Sequence, residues 1–178
     1  MWVINFGWIG ENGLEEKEFF YEYIEEDIKR NLNRIKEYST SDEKILEIIN
    51  NKANIALNEI KKSTDIKPVI SWYDINPNNI LIDKSSRIIG FLDAGGARIA
   101  AKEWDLAFVK MDLCKSKEEF NNFKEEYLKY HNIDERLLEA LTIVVEIDDI
   151  AFQLETNTKL PVAYESNFKN IIEKIQNM

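Results

Sequence analysis

The chain has 178 residues, 33 acidic against 23 basic side chains for a net charge of −10, and a hydrophobic fraction of 44%. That length suits one domain, and that hydrophobic content is enough for a core and too high for a disordered acidic tail. The charge excludes a nucleic-acid surface held by counterion release, and no apolar run approaches the roughly 18 residues of a membrane span.

The N-terminus MWVINFGWIGENG has no basic n-region or long apolar h-region, so a soluble cytoplasmic protein is expected. Cys114 has no partner for an intramolecular disulfide, and Cys114 with His131 falls short of the four ligands of a structural zinc site. With only 6 Gly and 3 Pro, the chain is expected to be mostly helical.

In chain order, Phe19, Phe20, Tyr23, Ile24, Ile28, Leu32 and Ile35 recur at helical spacing and predict an amphipathic helix over 14–38. A second is predicted over 42–62 behind an N-cap at Ser41. Residues 67–72 (KPVISW) are short, β-rich and opened by Pro68, as at a strand start. The apolar runs 79–82 and 87–92 around the polar turn 83–86 predict a β-hairpin. Helices are then expected over 103–113, 117–130, 134–155 and 164–176, so a small hairpin sits in a helical body.

The hairpin gathers oxygen ligands at its ends. Asn79 precedes its first strand and Asp93 follows its second, so pairing brings the two to one end, with Asp74 in the loop leading in. Two protein oxygens suit Mg²⁺, which takes the rest of its shell from phosphate and water. A separate carboxylate within reach can accept a proton from a substrate hydroxyl.

Asp74, four intervening residues, Asn79, a hairpin, Asp93-Ala94-Gly95 and then Trp104-Asp105-Leu106-Ala107 follow in order. The stretch SWYDINPNNILIDKSSRIIGFLDAGGARIAAKEWDLAF resembles the core of the aminoglycoside phosphotransferase family, which includes choline and fructosamine kinases. The resemblance implies a mainly α (α+β) fold, the helical C-lobe of the protein-kinase-like fold with an embedded β-hairpin and no N-lobe. It makes Asp74 the catalytic base, Asn79 and Asp93 ligands of Mg²⁺, and Asp105 a brace for the catalytic loop. Asp83 and Gly90 take structural places in the hairpin. ATP would be the phosphoryl donor.

On this reading residues 1–178 form one domain: a hinge-like segment 1–13, a helical hairpin 14–66, the catalytic and metal-binding region 67–99, and a helical substrate-side region 100–178. The family's His-Gly-Asp is Trp72-Tyr73-Asp74 here, so the His that orders the loop is replaced and Tyr73 crowds the approach to Asp74. No Gly-rich nucleotide loop or run of N-lobe strands precedes the hinge-like segment, so the chain alone is expected to be a very weak kinase. Expected partners are a small-molecule acceptor and either a separate N-lobe chain or a second copy, docking on apolar surface at Trp2, Val3, Ile4 and Phe6. The competing reading is a non-catalytic remnant or interaction module that keeps the fold.

The acceptor is expected against the C-terminal helices. Asp148 falls among Leu141, Val144, Ala151 and Phe152 on an apolar face, with Glu155 two turns along it. A carboxylate so placed needs a cation, either a side chain such as Arg98 or Lys102 or an amine ligand. A quaternary-amine cage of Trp2, Trp8, Phe19 and Phe20 is the less favoured alternative to core packing, and His131 is expected at a helix end on the surface.

Overall fold

The computed structural model describes residues 6–10, 13–14, 17–38, 43–73 and 75–159. The expected cap Ser41, the residues Trp2, Val3 and Ile4, and the expected helix 164–176 lie outside them.

The chain is built around one helix. Asp134 caps helix α5 (Glu135–Lys159), its Oδ1 accepting the backbone N–H groups of Arg136 at 3.0 Å and Leu137 at 3.3 Å. Leu137, Leu138, Leu141, Val144, Val145, Ile147, Ile150, Ala151 and Leu154 are all buried, more than one stripe of the helix. A helix apolar on several sides belongs inside, and α5 packs against α1 (Phe20–Tyr38), α2 (Glu43–Lys62) and α3 (Lys102–Phe108). Helix α2 turns Ile49, Ala53, Ala56 and Ile60 inward at helical spacing.

Helix α1 starts six residues after the expected position because the preceding chain is extended: Phe6 and Lys17 exchange backbone hydrogen bonds of 2.9 Å. Phe6 itself is buried, 5.2 Å from the Phe20 ring, and so contributes core and not the exposed apolar patch expected of it. Helix α3 runs into a π-helical turn, Val109–Leu113, closed by Cys114 N–H donating to the Val109 carbonyl at 3.0 Å, and α4 (Lys117–Leu128) follows behind an N-cap at Ser116.

Two sheets carry the site. The expected hairpin is present as β4 (Ile80–Ile82) and β5 (Ile88–Phe91), paired Ile80 to Phe91 and Leu81 to Gly90. The second sheet goes beyond the sequence reading: β1 (Gly7–Gly10), β2 (Gly13–Leu14), β3 (Val69–Ser71) and β6 (Arg98–Ala100) form an antiparallel sheet in the order β2-β1-β6-β3. Its register sets Ser71 and Trp8 each opposite Arg98, so the loop leaving β3 and the loop entering β6 lie side by side.

Replacing Leu141, fully buried in the middle of α5, by Ala is expected to cost about 2–5 kcal/mol in urea unfolding, whereas the same change at the exposed Ile55 should stay within about 0.5 kcal/mol.

Candidate active site

The loop between β3 and β4 is organised by Asp105 from α3. Its Oδ1 accepts the Ser71 hydroxyl at 2.5 Å and the Tyr73 backbone N–H at 3.4 Å. Burial pushes the Asp105 carboxyl above its ordinary range, and the Ser71 hydroxyl and the Tyr73 and Trp72 backbone N–H groups oppose that shift. Trp72 Nε1 donates to the Leu92 carbonyl at 3.2 Å and fastens the loop to the end of β5.

Asn76 Oδ1 accepts the Asn78 N–H at 2.9 Å and its carbonyl accepts the Asn79 N–H at 3.0 Å, making a single 3-10 turn, Pro77–Asn79, that delivers Asn79 to the start of β4. The Asn79 carbonyl accepts Leu92 N–H at 2.8 Å, so Asn79 and Asp93 lie at the same end of the hairpin. Asp93 has a left-handed backbone, φ 57°, and its Oδ1 takes the Gly95 N–H at 3.3 Å. At the far end Asp83 closes the turn, accepting Ser85 and Arg87 N–H groups at 2.8 and 2.9 Å. These Arg87 and Ser85 hydrogen bonds hold the Asp83 carboxyl below its ordinary range. Gly90 faces Leu81, where an added methyl would make ordinary contact at 3.7 Å, so close packing does not require glycine there.

Asp74 lies outside the described residues, but both sides of its loop are placed. Tyr73 and Asn76 line a cleft of about 560 Å³ together with Trp8 from β1, Arg34 from α1, and Asp148 and Phe152 from α5. No group of three or more His, Cys, Asp or Glu side chains is placed for a metal among the described residues. The donors at the hairpin end are instead one amide and one exposed carboxylate, hard oxygens that fit Mg²⁺ shared with phosphate and water.

Tyr73 adopts φ 72°, which costs a non-glycine residue roughly 1–2 kcal/mol. Its ring packs against core side chains, and the approach to Asp74 that it was expected to crowd lies outside the described residues. The ring lies 3.4 Å beneath the Arg98 guanidinium carbon and 4.6 Å from the Phe108 ring. Arg98 is wholly buried: Trp8 stands 4.3 Å away, Tyr23 and Trp104 lie beyond, and Nη1 donates to the Tyr23 hydroxyl. Nη2 has no partner among the described residues. An aromatic cage therefore exists, but its cation is the chain's own Arg98. Of the cage residues considered in the sequence, Trp2 lies outside the described residues, Phe20 is core, Phe19 is exposed against Tyr21, and Trp8 takes part.

The partner expected for Asp148 is corrected in the same region. Neither Arg98 nor Lys102 forms an ion pair with it. Asp148 Oδ1 lies 3.6 Å from Arg34 Nη1, its Oδ2 accepts the Tyr73 hydroxyl at 2.6 Å, and Glu155 takes Arg34 Nη2 at 2.7 Å. His131 is exposed after α4, its N–H donating to the Tyr127 carbonyl at 3.1 Å. No helix of the described residues is long and apolar enough to cross a membrane.

By sequence, no family model and no curated protein matches the chain. By structure it is similar to a thermostable mutant of aminoglycoside phosphotransferase APH(4)-Ia in its apo form, at TM-score 0.64 and 14% identity over 97% of this chain and 57% of the other. The same enzyme as a ternary complex with AMP-PNP and hygromycin B gives TM-score 0.60, 16% identity and coverages of 96% and 57%. Macrolide 2'-phosphotransferase type I gives 0.52, 14%, 88% and 49%. The fold is thus that of a phosphotransferase of the kinase-like type. The chain spans about half the length of these proteins, which fits a match to the C-lobe.

Because burial raises the folded-state pKa of Asp105 above its ordinary 3.8, its stabilising contribution is complete below that value and is lost as pH rises through the folded one. Asp105→Asn keeps an accepting oxygen and cannot ionise. Thermal midpoints measured from pH 3 upward are expected to shift in favour of the variant as pH rises, and parallel profiles would contradict this.

Proposed function

We propose that the chain is the catalytic C-lobe of an ATP-dependent phosphotransferase acting on a hydroxyl of a small cationic acceptor, such as an aminoglycoside or amino alcohol. The observation that carries this reading is the hairpin register, which sets Asn79 and Asp93 at one end beside a loop whose two flanks line the cleft. The AMP-PNP bound in one similar structure supports ATP as donor. Asp74 would accept the acceptor's hydroxyl proton as that oxygen bonds to the γ-phosphorus and the bond to the β,γ-bridging oxygen breaks, releasing ADP. Asn79 and Asp93 would hold Mg²⁺, which would neutralise phosphate charge.

The hairpin leaves Ile82, Ile88, Ile89 and Leu92 exposed, and in this reading a β-rich lobe docks against it to close the nucleotide cleft. Positioning supplies most of the rate in phosphoryl transfer, so without that lobe the C-lobe should be a very weak kinase. A cytoplasmic location, where ATP is available, belongs to the same reading.

Titration calorimetry of the chain with Mg²⁺ and ATP tests it. Binding is expected, weakened at least tenfold by Asp93→Asn and little changed by Asp74→Asn. Absence of binding in the unsubstituted chain would instead support a non-catalytic module that keeps the fold.

A further inference from the structure

We propose that Asp148 is a positioning residue for the catalytic loop, acting through the Tyr73 hydroxyl, and not a binding group for a cationic acceptor. The proposal rests on the phosphotransferase reading only for the word catalytic. The latch itself stands on geometry. Tyr73 immediately precedes Asp74 and holds a left-handed backbone that tyrosine adopts only when its surroundings impose it.

Contacts with four residues impose it. The ring is stacked 3.4 Å under Arg98 and packed against Phe108. Its other side is so close to Gly96 that an added Cβ there would stand 2.8 Å from Tyr73 Cδ1. The hydroxyl ends on Asp148 Oδ2 at 2.6 Å. Burial, and then the neighbouring Asp148 charge, push the Tyr73 phenol well above its ordinary range, so it remains a donor at any working pH. Since Asp148 stands on the central helix, this bond ties the loop to α5. The Asp148 charge is also already facing Arg34, which leaves an incoming ammonium group to compete with a resident guanidinium.

The two roles make opposite demands on residue 148. A latch needs only an oxygen that accepts from the Tyr73 hydroxyl, which asparagine supplies, whereas an amine site needs the negative charge, which asparagine lacks. Amide hydrogen exchange would be followed at Asn76 and Asn79 in the unsubstituted chain, Tyr73→Phe, Asp148→Asn, Asp148→Ala and the double variant Tyr73→Phe/Asp148→Ala. Exchange in α2 reports whether each variant remains folded.

The latch predicts that Tyr73→Phe and Asp148→Ala each speed exchange at these two amides about tenfold while α2 is unchanged. It also predicts that the double variant is no worse than either single one, and that Asp148→Asn stays within about twofold of the unsubstituted chain. Mg²⁺·ATP affinity should follow the same order, because Asn79 rides on the loop. Unchanged loop exchange in Tyr73→Phe, or Asp148→Asn as damaging as Asp148→Ala, would overturn the proposal. Hygromycin B, titrated calorimetrically, supplies the opposite pattern: an amine site would lose it in Asp148→Asn and keep it in Tyr73→Phe. Failure of the unsubstituted chain to bind Mg²⁺·ATP would remove the phosphotransferase reading and leave the exchange result to decide the latch.

Discussion

A largely buried carboxylate, Asp105, decides where the candidate site can form. It is costly in the core unless donors surround it, and the donors come from the segment it organises: the Ser71 hydroxyl and the Tyr73 backbone N–H. Once they are engaged, the chain leaving β3 has one course, past Tyr73 and into the turn at Pro77–Asn79 that presents Asn79. The arrangement couples folding to the site in a specific sense, because the bonds that make the buried charge tolerable also fix the loop's backbone.

A second buried charge completes the support from the other side. Arg98 lies in a cage of Trp8, Tyr23, Tyr73 and Trp104 and stabilises it by cation–π attraction, which is strong in a desolvated setting. The same guanidinium sits at the start of β6, opposite both Ser71 and Trp8, so one residue joins the sheet to the loop. A tyrosine at a position held by glycine in the family that the sequence resembles therefore has a structural consequence. It trades backbone ease for a ring that can be packed and a hydroxyl that can be bonded.

The hairpin and the helices were legible in the sequence because their signals are local: alternating apolar runs about a polar turn, and apolar recurrence at three and four residues. The spacing of Asn79 and Asp93 likewise needed only the hairpin to become a juxtaposition. Strand β6 was not legible, since Arg98-Ile99-Ala100 is only three residues long, too short for an alternation to show. The left-handed Tyr73 had no signal of its own, because tyrosine rarely adopts that backbone. The partner of Asp148 was misjudged for a related reason. Its contacts reach 75 residues back to Tyr73 and across to Arg34 on α1, and helical periodicity says that a buried carboxylate needs a partner without saying which one the packing supplies.

On the proposed reading, Asn79 and Asp93 act together on one metal–nucleotide complex. Paramagnetic relaxation of assigned backbone amides by Mn²⁺ with ATP reads this directly. The amides flanking Asn79 and Asp93 are expected to broaden together and in preference to those of the Asp83 turn at the other end of the hairpin. Broadening centred on the Asp83 turn, or scattered over the acidic surface, would contradict it.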